Sequence, residues 1–218
     1  MKEYINQIIH ADCLDIMREL PDNSVDLVLT DPPYGIGADI NQAKLANKKG
    51  FTKNAGTYKE YPVTNWDGKP PTIEYFEEMF RISKNQIIFG GNYFIDLKLS
   101  GVIVWNKGGS GNFKEGELAK TNIDTFKIFT YARSDAYIND IDVKIHPTQK
   151  PIRLFTWCLA NYSKEKDLIL DCFSGSGTTA IACHRLERRF ICIEKEEKYV
   201  ELSRKRLKEE QAQMRLEL

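Results

Sequence analysis

Long apolar runs are missing from this 218-residue chain. No stretch approaches the roughly 20 uninterrupted apolar residues of a membrane helix, so a helical span has no candidate. Paired cysteines are missing as well. The five cysteines (Cys13, Cys158, Cys172, Cys183 and Cys192) are odd in number and contain no Cys-x-x-Cys. They read as small buried residues in a reducing compartment, and neither a disulfide framework nor a metal site is expected. No Gly-Lys-Ser/Thr follows a glycine-rich turn, which excludes a phosphate-gripping P-loop. Met1–Ile5 carries no apolar leader, so the expected location is cytoplasmic. An excess of one charge is the last absence: 31 Lys+Arg meet 31 Asp+Glu. A polyanion would therefore need a local footprint. One candidate lies between residues 38 and 72, where six lysines face three acids.

What is present is enough apolar residue, 42%, for a single domain over 1–218 with a true core. Apolar runs at Ile5–His10, Val25–Thr30, Gln86–Gly90, Val102–Asn106, Phe126–Tyr131, Leu168–Asp171 and Phe190–Glu194 predict strands. Between them, helical patterns run over Cys13–Leu20, Thr72–Ser83, Ile152–Tyr162, Thr178–Leu186 and Glu196–Gln213. The alternation argues for an α/β fold with a largely parallel sheet and helices on both faces. Two stretches, 35–71 and 107–122, lack periodicity and read as surface loops, either plain insertions or substrate-facing segments.

Leu168–Asp171 runs into Cys172-Phe173-Ser174-Gly175-Ser176-Gly177-Thr178-Thr179, then a helix, then a strand ending at Glu194, 19 positions after Gly175. Glycine allows tight turning and close backbone approach to a ligand. An acid at the second strand's end accepts both hydroxyls of a ribose. The segment alone fits a nicotinamide dinucleotide as well as S-adenosylmethionine. Only one helix follows Glu194, so the remaining strands of the sheet must come from the N-terminus. That implies a circularly permuted Rossmann-like sheet whose ligand-binding start is encoded last. Ligands in such sheets sit beyond the carboxyl ends of the strands, at the switch point. Phe173–Gly177, Glu194, Asp12 and Asp31–Tyr34 then surround one crevice. Asp12 is placed both to cap the helix after it and to accept from an adenine amino group.

Asp31-Pro32-Pro33-Tyr34 closes an apolar strand. An exocyclic base nitrogen is a poor nucleophile because its lone pair is delocalised into the ring. A carboxylate (Asp31) and a backbone carbonyl accepting its two N–H bonds would hold it in line and bring it toward tetrahedral geometry. Pro32 and Pro33 fix the backbone and bring no competing N–H. Tyr34 offers a face for an extruded base, and stacking is worth about 1–3 kcal/mol. No Pro-Cys pair occurs, so attack by a cysteine on a cytosine carbon has no candidate.

Together these motifs resemble the β group of DNA amino-methyltransferases, in which the catalytic motif precedes the cofactor motif. Ala11–Asp15 with Val25–Tyr34 looks like that family's opening. His146-Pro147-Thr148-Gln149-Lys150-Pro151 looks like its motif before the cofactor strand, and Asp171–Thr179 like its Phe-x-Gly-x-Gly loop. The permuted order displaces the nicotinamide reading. The resemblance implies S-adenosylmethionine as cofactor and duplex DNA with a flipped base as substrate, with the family's frequent homodimer as a further expectation. Catalytic roles would fall to Asp31, Pro32, Pro33 and Tyr34. Phe173, Ser174, Gly175, Ser176, Gly177 and Thr178 would line the methionine part, and Glu194 the ribose. Thr148 and Lys150 would steady the carboxylate end, with Asp12, Cys13 and Asp31 completing the cofactor set. Asp at 31 favours adenine N6, since cytosine-N4 enzymes of the family more often carry Ser there. Cytosine N4, or an RNA or protein amide, are the alternatives. No large specificity domain is found, so 35–71, with 107–122, is expected to face DNA.

Overall fold

The computed structural model describes residues 1–37, 67–94, 97–108, 115–132, 135, 145, 146 and 148–216. Eight strands form one sheet: β1 Gln7–His10, β2 Val25–Thr30, β3 Ser83–Phe89, β4 Gly101–Asn106, β5 Gly116–Thr121, β6 Phe126–Thr130, β7 Leu168–Asp171 and β8 Arg189–Glu194. The helices are α1 Cys13–Glu19, α2 Ile73–Ile82, α3 Ile152–Tyr162, α4 Thr178–Arg185 and α5 Glu197–Leu216. The strand order is β1-β8-β7-β2-β3-β5-β4-β6. Only β5 runs antiparallel to its neighbours; the other pairings are parallel. β7 and β8, last in the chain, thus sit between the N-terminal strands β1 and β2, as the permuted order requires. The crossovers from β7 and β2 leave in opposite directions, and the switch point lies between them.

Period-2 alternation sends side chains of each central strand to both faces. Leu27, Leu29, Ile87, Phe89, Ile169, Phe190 and Cys192 pack under α3 and α4, with Val200 and Leu207 of α5. Val28, Ile88, Leu168, Leu170, Ile191 and Ile193 pack under α1 and α2. All five cysteines are free and buried. No helix among the described residues is long and apolar enough to cross a membrane.

The expected boundaries differ from the structure at two places that matter. β3 begins at Ser83, three residues before the apolar run, because Val25 of β2 pairs with it and the Gln86 side chain donates back to the Ser83 carbonyl (3.1 Å). The larger correction concerns 107–122. Gly116–Thr121, expected as part of a loop, is a strand inserted between β3 and β4. Its charged Glu117 and Lys120 hide the strand from a pattern search, and Glu117 is admitted to the sheet because two lysines neutralise it. Residues 38–66 and 109–114 of the two expected loops lie outside the described residues.

Candidate active site

At the carboxyl end of β7, Asp171 is buried and acts as a local anchor. It accepts from Thr30 Oγ1 of β2 (2.8 Å), from the Phe173 N–H (3.1 Å) and from Thr179 Oγ1. Burial pushes its carboxyl up to about 6 despite those bonds. The loop that follows turns on Gly177, at φ 73°, which caps α4. A Cβ there would stand 2.8 Å from the Ser203 Cβ, so both the φ and the space demand glycine. Glu194, ending β8, faces the loop. Its Oε2 accepts from the Gly175 N–H and its Oε1 from the Glu196 N–H, each at 2.8 Å. Burial raises its carboxyl above the ordinary value, and those backbone donors limit the rise. Ser174 Oγ is buried here with no hydrogen-bond partner among the described residues.

Asp12 does cap α1, accepting from the Leu14 N–H (3.1 Å). It also accepts from Tyr75 O–H of α2 (3.0 Å) and pairs with Lys195 (2.9 Å). Burial works against its charge, but Lys195, the Leu14 N–H and Tyr75 hold its carboxyl below the usual range.

The β2 wall is built differently. Tyr34 O–H donates to Asp31 Oδ1 and Lys150 Nζ to Asp31 Oδ2, both at 2.5 Å. Lys150 also stands 3.0 Å from Glu117 Oε2, and Glu117 Oε1 pairs with Lys107. The sequence of charges is therefore Asp31, Lys150, Glu117, Lys107, alternating in sign. Burial pushes the Asp31 carboxyl above its ordinary value; Lys150 and Tyr34 oppose the rise and Glu117 adds to it. Burial alone would lower the Lys150 ammonium, but Asp31 and Glu117 hold it at about 12. Burial likewise disfavours the Glu117 charge, and Lys150 with Lys107 holds that carboxyl at about 2. The Tyr34 phenol is pushed well above its ordinary value by burial and by Asp31, so it remains an O–H donor.

Tyr34 lies on the backbone of Gly90. At φ 68°, that glycine leaves space that a Cβ would fill 2.1 Å from Tyr34 Cε1. The ring stacks on Tyr93, with centroids 4.8 Å apart and an 11° tilt. Beside it, the Gly35 N–H donates to Asp67 Oδ1 (2.8 Å) and the Gly37 N–H to the Asp67 carbonyl (3.2 Å). Residues 35–37 and 67 are thereby pinned together next to the motif.

The two walls meet in a cavity of about 520 Å³. Of the sequence-predicted site residues, Asp12, Cys13, Asp31, Pro33, Thr148, Lys150, Phe173, Ser174, Gly175, Ser176, Thr178 and Glu194 form its surface. Pro32 is buried behind it, and Tyr34 and Gly177 stand outside the wall. The sequence profile of the N6/N4 DNA methylase family (N6_N4_Mtase) matches residues 122–205. The type II methyltransferase M.HinfI of Haemophilus influenzae is 28% identical over 260 aligned positions, spanning 96% of this chain and 70% of that protein. M2.MboI of Moraxella bovis is 26% identical, spanning 93% and 87%. Through this match and these relatives the chain is similar to the N6/N4 DNA methylases.

The chain shares its fold with M1.HpyAVI, solved as a complex with S-adenosylmethionine. The TM-score is 0.59 at 23% identity, over 92% of this chain and 98% of that one. Several residues in or behind the crevice had no signal in the linear pattern. Glu117 and Lys107 lay in a stretch without periodicity, and Tyr75 looked like any half-buried aromatic of an amphipathic helix. Tyr93 had a faint one: it follows the Gly90-Gly91 pair just after a strand that ends at the crevice.

Proposed function

We propose that the protein transfers a methyl group from S-adenosylmethionine to N6 of adenine in duplex DNA, with the target base turned out of the helix. The observation that carries this reading is the placement of Asp31. Its carboxylate is oriented by Tyr34 and Lys150 on the surface of the same cavity as the glycine loop and Glu194. Residues of the β7 wall fit the cofactor. Ser174 Oγ is a buried group awaiting a partner, and Glu194 is a carboxylate suited to ribose hydroxyls. We assign the methionine part to Phe173, Ser174, Gly175, Ser176 and Thr178, with Thr148 near its polar end, and the base end to Asp12 and Cys13. Gly177 contributes backbone shape.

When bound, the cofactor supplies an electrophilic sulfonium methyl. Asp31 accepts one N–H of the target amino group, and the backbone of Pro32-Pro33, which lacks donors, leaves carbonyls to accept the other. Held in this way, the nitrogen lone pair is released from the ring, and positioning with fixed dipoles lowers the barrier. Asp31 can take the proton that the methylated nitrogen must lose. Lys150, expected at the carboxylate end of the cofactor, is assigned to Asp31 instead, because its ammonium lies against that carboxylate. Tyr34 presents its ring to the extruded base, which requires Tyr93 to yield or to share the stack.

Adenine is favoured over cytosine because residue 31 is Asp. Incubating the protein with labelled S-adenosylmethionine and duplex DNA, then digesting to nucleosides, should yield N6-methyladenine. Product only on cytosine N4, or only on RNA or protein, would overturn the reading. DNA reading is assigned to the lysine-bearing segment that leaves at Gly37 and returns at Asp67. Deleting Lys44–Lys59 should abolish DNA binding and spare cofactor binding; unchanged DNA affinity would remove that assignment. A homodimer remains part of the proposal, supported by the exposed Phe126 and Ile128 on edge strand β6. A monomeric mass in solution at micromolar concentration would argue against it.

A further inference from the structure

Glu117 reaches the site from the one antiparallel strand, far in sequence from every motif. It stands between two ammonium groups, Lys150 Nζ at 3.0 Å and Lys107 Nζ on its other oxygen. Lys150 is 6% exposed, so its charge is neutralised by these partners and scarcely by water. A lysine held by Asp31 alone would cancel that carboxylate as a contact pair. Shared between two carboxylates, the same ammonium leaves net negative charge on Asp31, and Lys107 restores neutrality at the far end, away from the base.

We infer that Glu117 is a positioning residue for methyl transfer: bridging Lys107 and Lys150, it holds the Lys150 ammonium on Oδ2 of Asp31 and keeps that carboxylate a strong acceptor. This rests on the reading of Asp31 as the acceptor of the target amino group. The charged and titratable groups around Asp31 are Lys150, Tyr34, Glu117 and, across β7, Asp171. Those around Glu117 are Lys150, Lys107, Asp31 and Tyr34. Removing the Glu117 charge leaves Asp31 facing a surplus cation, so it ionises more easily and accepts less strongly.

Glu117→Gln keeps the shape and removes the charge. Its kcat should fall roughly tenfold or more with little change in cofactor KM, and the acid limb of its kcat–pH profile should move to lower pH. Lys107→Met alone should move that limb to higher pH. Combining the two substitutions rebalances the charge and should return the limb toward its original position. A role in packing alone predicts losses that add and an unmoved limb, and either result overturns the proposal. Titration of the Asp31 carboxyl by carbon-13 NMR in the same full-length variants reads the same shifts without turnover. Wild-type protein inactive on DNA would therefore sink the functional reading, whereas an Asp31 titration indifferent to both substitutions would sink this one. Should Glu117→Gln fail to fold, Lys107→Met carries the test by itself.

Discussion

Across the crevice, the β7 wall is made of backbone and the β2 wall of charged side chains. On the β7 side, Glu194 is held by the N–H groups of Gly175 and Glu196, and the loop turns on a glycine in the left-handed region. On the β2 side, Asp31, Lys150, Glu117 and Lys107 neutralise one another, with Tyr34 as a neutral donor to Asp31. Backbone donors are laid down by local chain geometry and tolerate side-chain change. A buried charge chain depends on every member, because losing one leaves its neighbour unpaired at low dielectric. The first wall is thus suited to holding a ligand, and the second to presenting a carboxylate of controlled charge.

That contrast can be broken most sharply at Asp31. Asp31→Ala should reduce turnover by roughly 10²–10⁴-fold while calorimetry finds cofactor affinity little changed; near-normal turnover would mean that the β2 wall is not the catalytic one. Lys150→Met strands Asp31 and leaves Glu117 with Lys107 alone. It should cost about 3–5 kcal/mol, seen as a melting temperature lower by roughly 10 °C. A stable Lys150→Met protein would show that the charges are better hydrated than their burial implies. On the other wall, Gly177→Asp should lose cofactor binding in a direct titration and cost about 1–3 kcal/mol from backbone strain, since the φ is 73° and Ser203 blocks the side chain.

Acid stability separates Glu117 from Asp171 by sign. Glu117, held at about 2, contributes stability that is present above its unfolded value and lost as pH falls from 4.5 toward 2. Asp171, raised to about 6, instead costs stability as pH rises from 3.8 toward 6. The urea midpoint of the native protein should therefore fall more steeply between pH 5 and pH 3 than that of Glu117→Gln. Equal slopes would remove Glu117 from the charge chain. The smallest effect is expected at Tyr75→Phe, which deletes one of several donors to Asp12. About 1 kcal/mol in chemical denaturation is anticipated, with the α1 cap intact.

The same contrast explains how much could be read beforehand. The β7 wall spans Asp171 to Glu196, a single strand-loop-helix-strand unit whose glycines and terminal acid keep fixed offsets, so its residues were legible in the linear pattern. Asp31–Tyr34 was legible because four adjacent residues carry it. Glu117 was not: its strand has neither alternating apolar residues nor a β-branched run, and its meaning comes from lysines 10 and 33 positions away. Lys150 was singled out, but its pairing with Asp31 was not, because spacing along a chain does not say which carboxylate an ammonium will meet.

By itself, the amino-acid sequence determined the α/β layering, the permuted strand order and the two motifs at the switch point, since periodicity, glycine and proline act through local backbone preference. Only the tertiary structure decided how Asp31 is charged and oriented. That property depends on β2, β4, β5 and the segment before α3 converging on one buried ion network, and electrostatic energy is set by distance in space and by desolvation, neither of which is written along the chain.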